Sequence, residues 1–462
     1  DDHSWWMVRE FPLELAQNER ASLVLRGVDY VSDLFLNGHY LGRHEGMFSP
    51  LRHDISALAA TENRLAIRIL GSRWLPEDRS SRWERALGQL ESMLSGLPSD
   101  PSRRDTLKCQ MGFGWDFAPR LRTMGVWDDV FVAVSGAVSI RDLAAHTRLL
   151  ETAAVLTVEL DLDTEQSLPV QIRSTLRGET FDAPPLIFEQ PVNLAEGRTH
   201  HRLELTVPHP RLWWSWDHGS PHLYRLTVEV LDGTDLLDSA WHTIGLRQVE
   251  MDAWTLRLNG RRVYVRGANW VPADVLPGRV TREDYRSLLT LARQANMNLL
   301  RVWGGGLREK ADFYDLCDRQ GILLWQEFPF SCAFLARFPR SRTFLRLARS
   351  EVAAIVRDLR HHPSLVVWCG GNEFSPSRNE ALTVTLSHVL EEEDPRRPFL
   401  PASPAAGDSH NWHVWHEFYP PSHFRCDRSP FASEFGLQAP PETQALRRFI
   451  PDDELWPPGP SW

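Results

Sequence analysis

The strongest constraint on the fold is a change in hydrophobic period near residue 249. Before it, runs such as ASLVLRGV and TVELDLD alternate apolar and polar residues at period 2, which is typical of half-buried strands. After it, short apolar runs alternate with helical patterns, beginning with RVYVRGANW and then TREDYRSLLTLARQAN. Strands that alternate with helices predict a parallel sheet, and their repetition predicts a (β/α) barrel.

The period-2 runs predict two β units ahead of the barrel. Residues 1–137 read as an all-β sandwich, in which Asn37-Gly38 marks a hairpin turn. Residues 138–248 read as a second β unit that acts as a spacer. In residues 249–462 we identify LVVWCGGNE as the fourth barrel strand, RPFLPAS as the fifth, WHVWH as the sixth and FASEFG as the seventh. We find no eighth strand, so we expect a barrel that lacks its last strand and a first sandwich that is N-terminally incomplete.

Composition narrows the class of partner. The formal net charge of −10 argues against a nucleic acid or an anionic membrane. Five cysteines without C-x-x-C spacing predict reduced thiols.

His361 and His362 are not expected to bind a metal, because adjacent side chains point apart and no third ligand stands at usable spacing. Without a phosphate-binding or dinucleotide motif, we expect no cofactor. Composition and the lack of N-x-S/T sequons predict a cytoplasmic location, whereas the oligomeric state stays open.

Two glutamates follow buried strands of the predicted barrel. LVVWCGGNE is an apolar run bounded by glycine, typical of a buried parallel strand, and it ends at Glu373. FASEFG has the same form and carries Glu434. Because active sites of such barrels lie at the carboxyl ends of the strands, both glutamates are expected at one rim. Two carboxylates at one rim are what glycoside hydrolysis needs, and 19 tryptophans suit stacking on sugar rings.

Seven long motifs resemble glycoside hydrolase family 2, and most of all its β-mannosidase branch. They are GVDYVSDLFLNG, GFGWDFAPR, NGRRVYVRGANWVPAD, ANMNLLRVWGGG, CDRQGILLWQEFPF, HHPSLVVWCGGNEF and FASEFG. The resemblance covers essentially the whole chain in the family's order. It implies a jelly-roll-like, sugar-binding-type β-sandwich at 1–137, an immunoglobulin-like β-sandwich at 138–248 and a TIM-type (β/α)8 barrel at 249–462.

The resemblance also implies roles for individual residues. It makes Glu373 the acid/base and Glu434 the nucleophile of a retaining mechanism, which needs carboxyl groups about 5–5.5 Å apart. Asn372 resembles the residue that hydrogen-bonds the sugar 2-hydroxyl. Glu327 matches neither catalytic motif and is expected to support the other residues.

Further residues are candidates for substrate binding. Trp115 and Asp116 resemble a sandwich loop that closes the non-reducing end of the sugar site. Arg301 and Trp303 are expected in the wall of that site, although Arg301 could equally hold carboxylates at the barrel mouth. His413 and Trp415 are also candidates, and core packing is their alternative role.

The resemblance thus implies an exo-acting, retaining β-mannosidase that hydrolyses terminal non-reducing β-D-mannose residues of an oligosaccharide or glycan. A related β-galactosidase or β-glucuronidase is the alternative enzyme. If the truncated barrel is inactive, a non-catalytic carbohydrate-binding protein is the alternative from another class. The natural aglycone and the preferred chain length stay open.

Overall fold

The computed structural model describes residues 3–76, 79–96 and 100–462. The chain forms two compact units, 1–403 and 404–462, and each is described by itself. None of the described helices is both long enough and apolar enough to cross a membrane.

The first unit begins with a β-sandwich. One antiparallel sheet contains, in spatial order, Trp5–Pro12, Glu62–Ile69, Val31–Leu36 and His39–Glu45. The other contains Leu51–Asp54, Arg20–Leu25 and Val130–Ser135, and Val28–Asp29 pairs with Gly125–Val126. The predicted hairpin is confirmed, because Asn37 and Gly38 have φ angles of 51° and 84° between its two strands. Positive φ at both positions is what a two-residue turn between twisted strands requires.

Reading residues 1–137 as all-β was wrong in one segment. A 14-residue helix, Arg82–Ser95, lies there, followed by the short helix Ser102–Asp105. The side chain of Ser81 accepts a hydrogen bond from the backbone N–H of Glu84, and Gly96 ends the helix with a φ of 71°. A serine N-cap and a glycine just past the end are ordinary helix boundaries that the sequence analysis overlooked.

The second β-sandwich packs two antiparallel sheets around one apolar core. The first sheet has Val138–Leu149, Ala153–Thr164 and Gly197–Pro208. The second has Leu186–Leu194, Leu168–Gly178, Tyr224–Asp232 and Asp235–Ile244. A small sheet of Val249–Asp252, Thr255–Leu258 and Arg261–Arg262 leads into the barrel.

The barrel region of the first unit contains a five-stranded parallel sheet. Its strands, in spatial order, are Gly267–Trp270, Leu299–Val302, Leu323–Glu327, Leu365–Cys369 and Phe399–Leu400. The helices between them are Arg282–Gln294, Ala311–Gln320, Arg342–Leu359 and Glu380–Glu393. The predicted strand–helix alternation is therefore confirmed here. Thr281 and Asp284 form a capping box at the start of the helix Arg282–Gln294.

The second unit is small. Its strands Asp408–Asn411 and Phe431–Phe435 pair in parallel, and its short helices are His413–His416, Pro421–Cys426, Thr443–Leu446 and Asp452–Leu455. The strand in FASEFG is confirmed, but the strand predicted for WHVWH is wrong, since His413–His416 is one helical turn. Five residues with one buried position, Val414, fit either period, so the pattern alone could not separate the two.

One buried carboxylate joins the first sandwich to the barrel. Glu351, on the helix Arg342–Leu359, accepts hydrogen bonds from the backbone nitrogens of Met47 at 2.8 Å, Phe48 at 2.7 Å and Ser49 at 3.0 Å. Burial raises the pKa of Glu351, and these hydrogen bonds act in the opposite direction. At Gly46, with a φ of 138°, a Cβ atom would lie 2.2 Å from a carboxylate oxygen of Glu351. Only glycine fits this approach.

Replacing Glu351 with alanine should destabilise the chain by about 3 kcal/mol, because three backbone donors lose their acceptor at roughly 1 kcal/mol each. Urea unfolding monitored by tryptophan fluorescence measures the change. The matched control is Glu283→Ala on another barrel helix, where the side chain is exposed and the expected change is within about 0.5 kcal/mol. Equal effects of the two substitutions would contradict the anchoring role.

Candidate functional site

One group of polar residues in the first unit lies at the carboxyl ends of the parallel strands. Asn269, Arg301 and Glu327 lie at or near the ends of three neighbouring strands, and Asn372 and Glu373 follow the fourth. The carboxyl ends of parallel strands meet at one edge of the sheet, which is where barrels of this type carry their active sites.

Arg301 is the centre of this group. Its Nε donates to Oε1 of Glu327 at 2.9 Å, its Nη1 to Oδ1 of Asn269 at 2.7 Å, and its Nη2 to Oδ1 of Asn372 at 2.8 Å. The side chains of Arg301 and Glu327 are 3% and 0% exposed. Of the two roles that the sequence left open for Arg301, the contacts show the one that holds a rim carboxylate. A contact of Arg301 with substrate stays a prediction.

The bond from Arg301 decides which way the amide of Asn372 faces. Arginine donates only, so the Asn372 atom that it meets is the carbonyl oxygen. The Nδ2 group then lies on the other side, 3.4 Å from Oε2 of Glu373 and 3.5 Å from Sγ of Cys332. Asn372 therefore presents a hydrogen-bond donor beside the Glu373 carboxylate.

The backbone that carries Glu373 is unusual. Glu373 is half-buried and has a φ of 49°, and its backbone N–H donates to the carbonyl of Ser403 at 2.6 Å. Gly371 lies two residues before Glu373. A Cβ atom there would lie 2.2 Å from the carbonyl oxygen of Phe330, so only glycine fits at this position. A non-glycine residue at positive φ costs roughly 1–3 kcal/mol, and such strain clusters at functional sites.

Cys332 supports the Glu373 carboxylate, and the sequence analysis missed it. Its thiol donates to Oε2 of Glu373 over 3.2 Å. Burial, and then the charge of Glu373, raise the pKa of the Cys332 thiol well above its usual range. The thiol is therefore a permanent donor. The sequence does not indicate this role, because the single cysteine in FPFSCAF belongs to no recognisable motif.

Aromatic residues line the same end of the barrel. The ring centroid of Trp303 lies 4.9 Å from that of Trp115 and 5.7 Å from that of Phe117, both in edge-on contacts. Trp303 is buried, whereas Phe117 and Asp116 are exposed. The segment GFGWDFAPR of the first sandwich thus reaches the barrel.

Further contacts hold this segment in place. The backbone N–H of Met111 donates to the carbonyl of Gly305 at 2.8 Å. The guanidinium of Arg103 donates to the carbonyls of Ser331 at 3.2 Å and Cys332 at 3.0 Å. The overlooked helix Arg82–Ser95 contributes too, since Glu91 accepts from the backbone nitrogens of Leu335 and Ala336 at 2.8 and 2.9 Å.

In the second unit, Glu434 lies on the strand Phe431–Phe435 with 6% of its surface exposed. Its Oε2 accepts from Nε1 of Trp412 at 3.0 Å and lies 3.3 Å from Nδ1 of His410. The sequence analysis named neither partner. The signal for His410 is its position opposite Glu434 in the parallel pair, which only the strand register reveals.

The two other candidates of the second unit lie on the turn His413–His416. The side chain of His413 is half-exposed, and its Nδ1 lies 2.9 Å from Oε1 of Glu417. Trp415 is partly buried, with its ring near that of His416. Their contact with substrate stays a prediction.

Family comparisons agree with this architecture. The galactose-binding-like domain of glycosyl hydrolase 2 matches residues 1–128, the glycosyl hydrolases family 2 domain matches residues 138–247, and the TIM barrel domain of that family matches residues 249–407. The chain belongs to family 2 of the glycosyl hydrolases.

Within that family, the chain is similar to several β-mannosidases. The β-mannosidase of Rattus norvegicus is 28% identical over 444 residues, covering 87% of this chain and 49% of that protein. β-Mannosidase B of Thermothelomyces thermophilus is 28% identical and covers 94% of this chain and 54% of that protein. The crystal structure of β-D-mannosidase from Dictyoglomus thermophilum superimposes with a TM-score of 0.86 at 31% identity, covering 98% of this chain and 58% of that one. The chain spans about half the length of the curated relatives it matches.

The buried pair at the barrel mouth generates a prediction. Arg301→Met should destabilise the chain by about 3–5 kcal/mol, because it leaves Glu327 charged and buried. The double variant Arg301→Met/Glu327→Gln should be more stable than the single one, because the uncompensated charge is gone. Urea unfolding compares the two.

The control for this pair is Arg286→Met, which removes a half-exposed arginine from a surface ion pair with Glu283 and should change stability by less than about 1 kcal/mol. If the single and double variants were equally unstable, charge burial would not be the cause.

Proposed function

We propose that the chain carries the machinery of a retaining exo-β-mannosidase, which removes terminal non-reducing β-D-mannose residues from oligosaccharides or glycans. The observation that carries the proposal is the setting of Glu373. It follows a buried barrel strand, accepts a hydrogen bond from Cys332 and lies beside an Asn372 amide that Arg301 orients. The β-mannosidase relatives support the choice of sugar.

In the proposed mechanism, Glu434 is the nucleophile. Its carboxylate attacks the anomeric carbon, and the bond from that carbon to the leaving oxygen breaks. Glu373 gives its proton to the leaving oxygen in this step. It then removes a proton from the incoming water, which attacks the glycosyl-enzyme and releases mannose with its configuration retained. No step requires a cofactor.

Asn372 supports selection for mannose. Its Oδ1 is occupied by Arg301, so Nδ2, which lies 3.4 Å from Oε2 of Glu373, is the atom that can donate to a sugar hydroxyl. In the proposed complex this donor meets the axial 2-hydroxyl, the group that distinguishes mannose from glucose. A hydrogen bond to the 2-hydroxyl strengthens in the transition state of glycoside hydrolysis.

The segment GFGWDFAPR supports the exo mode. Trp115 and Phe117 pack on Trp303, which leaves Asp116 exposed at the tip of the loop. We propose that Asp116 accepts hydrogen bonds from the distal hydroxyls of the terminal sugar. A loop across the non-reducing end limits cleavage to one sugar at a time.

A panel of 4-nitrophenyl β-glycosides tests the assignment of substrate. Hydrolysis of the β-mannoside should exceed that of the β-galactoside and the β-glucuronide. Preference for either of these would replace the mannosidase proposal with the corresponding activity. Saturable binding of mannosides without any hydrolysis would instead identify a carbohydrate-binding protein.

Two variants test the roles of the carboxylates. Glu373→Gln should lower kcat/KM about 10²–10⁴-fold on mannobiose, because general acid catalysis is lost. The loss of kcat/KM should be much smaller on 2,4-dinitrophenyl β-mannoside, whose leaving group needs no proton. The kcat on this second substrate should still fall, because Glu373 is also the base that activates water. Glu434→Gly should be inactive on both substrates, and added azide should restore turnover with α-mannosyl azide as the product.

The control is Glu391→Gln, an exposed carboxylate on the helix Glu380–Glu393, which should retain the parent activity. Equal losses of kcat/KM on the two substrates in Glu373→Gln would argue against Glu373 as the acid. A folded Glu434→Gly that forms no azide adduct would argue against Glu434 as the nucleophile.

A further inference from the structure

A cavity of about 500 Å³ lies in the first unit, where the second sandwich meets the barrel. The lining residues before the barrel are 145–148, 156, 244–245 and 247–250. Those of the barrel are 360–363, 394 and 396–397. These two barrel segments precede the strands Leu365–Cys369 and Phe399–Leu400. The cavity is therefore at the amino ends of the strands, opposite the end that carries Glu373.

The lining is strongly cationic, although the chain as a whole carries a net charge of −10. The carboxylates that line the cavity are Glu250 and Asp394. Five arginines line it: Arg148, Arg247, Arg360, Arg396 and Arg397. A cavity with this excess of positive charge attracts anions.

Neighbouring carboxylates compensate only part of this charge. Arg360 binds Asp142 and Glu393, and Arg397 binds Asp394. Arg247 donates instead to the backbone carbonyls of Pro363 and Leu365, each at 2.7 Å, and forms no ion pair within the described part of the chain.

Arg247 is therefore a cation without a direct ion pair, and Asp394 and Asp318 act on it only at longer range. Its removal from bulk water, and then the charge of Arg397, lower the pKa of Arg247 to about 9. Arg247 is only partly exposed, and partial burial of a charge without an ion pair is costly. A bound anion would offset that cost.

Orphaned polar atoms give a second, independent observation. Nε of Arg360, Nε of Arg397 and Nδ1 of His361 are buried and have no hydrogen-bond partner among the described residues. All three residues line this cavity. The side chains of Arg360 and Arg397 are 6% and 7% exposed. Buried polar atoms of native proteins nearly always have a partner. Three residues of this lining therefore keep hydrogen-bonding capacity that the described protein atoms do not satisfy.

We propose that this cavity binds a phosphate group, either as inorganic phosphate or as the phosphomonoester of a small metabolite. Guanidinium groups match the oxygens of phosphate in paired, charge-assisted hydrogen bonds. Arg148 and Arg396 are exposed and form no ion pair within the described ranges, so they can close on a ligand without breaking an existing contact. The volume is in the range of small-molecule sites, roughly 300–1,000 Å³, and leaves room for a sugar attached to the phosphate.

Isothermal titration of the whole chain with sodium phosphate, at an ionic strength held constant with sodium chloride, tests the site. Glucose 6-phosphate and glucose are titrated in parallel. Saturable binding of phosphate, with glucose inert, is expected. Tighter binding of glucose 6-phosphate identifies a phosphomonoester as the ligand, whereas equal binding identifies free phosphate. No saturable binding of either phosphate compound overturns the proposal.

Two variants locate the binding. Arg247→Gln and Arg396→Gln should each weaken binding about tenfold, the effect of losing one charged hydrogen bond. The control Arg346→Gln, an exposed arginine outside the cavity, should bind as the parent does. Unchanged binding in Arg396→Gln would overturn the proposal, and this variant gives the answer even if Arg247→Gln does not fold. The proposal is independent of hydrolysis by Glu373 and Glu434, so failure of either leaves the other standing.

Discussion

The buried pair of Arg301 and Glu327 is the interaction on which the candidate site of the first unit depends. A charge in this position is tolerated only because each partner is satisfied: Glu327 by Arg301 and by the backbone N–H of Gly304, and Arg301 by three side-chain oxygens. The same guanidinium turns the Asn372 amide so that its donor faces Glu373. The buried ion pair of Arg301 and Glu327 therefore determines how the Asn372 amide is oriented beside Glu373.

The first sandwich is part of this arrangement because buried side chains bond to backbone across the domain junction. Glu351 of the barrel holds residues 47–49 of the sandwich, and Glu91 and Arg103 of the sandwich hold residues 331–336 of the barrel. A backbone group bonded in this way cannot shift without leaving a buried polar atom unsatisfied. The loop with Trp115 and Asp116 is thereby held against Trp303.

The sequence was informative where a local pattern has one solution. The apolar run before Glu373 is short and bounded by glycine, which favours a buried strand, and Asn37-Gly38 fits a tight hairpin. The sequence led to wrong predictions of secondary structure in two places. WHVWH is short enough to fit either a strand or a helix, and at Arg82–Ser95 a helix interrupts a series of strands. Cys332 and His410 escaped notice because each acts through a neighbour that is distant in sequence, or on another strand.

The sequence by itself determined the alternation of strands and helices in the barrel region and the family, because these depend on local periodicity and on long motifs. The catalytic roles of Glu373 and Glu434 stay predictions from those motifs. Only the tertiary structure decided that Arg301 holds Glu327 and Asn372, that Cys332 donates to Glu373, and that five arginines surround one cavity at the opposite end of the barrel. Such contacts join residues that are from tens to more than two hundred positions apart. A local sequence pattern does not predict which of these residues come into contact in the folded chain.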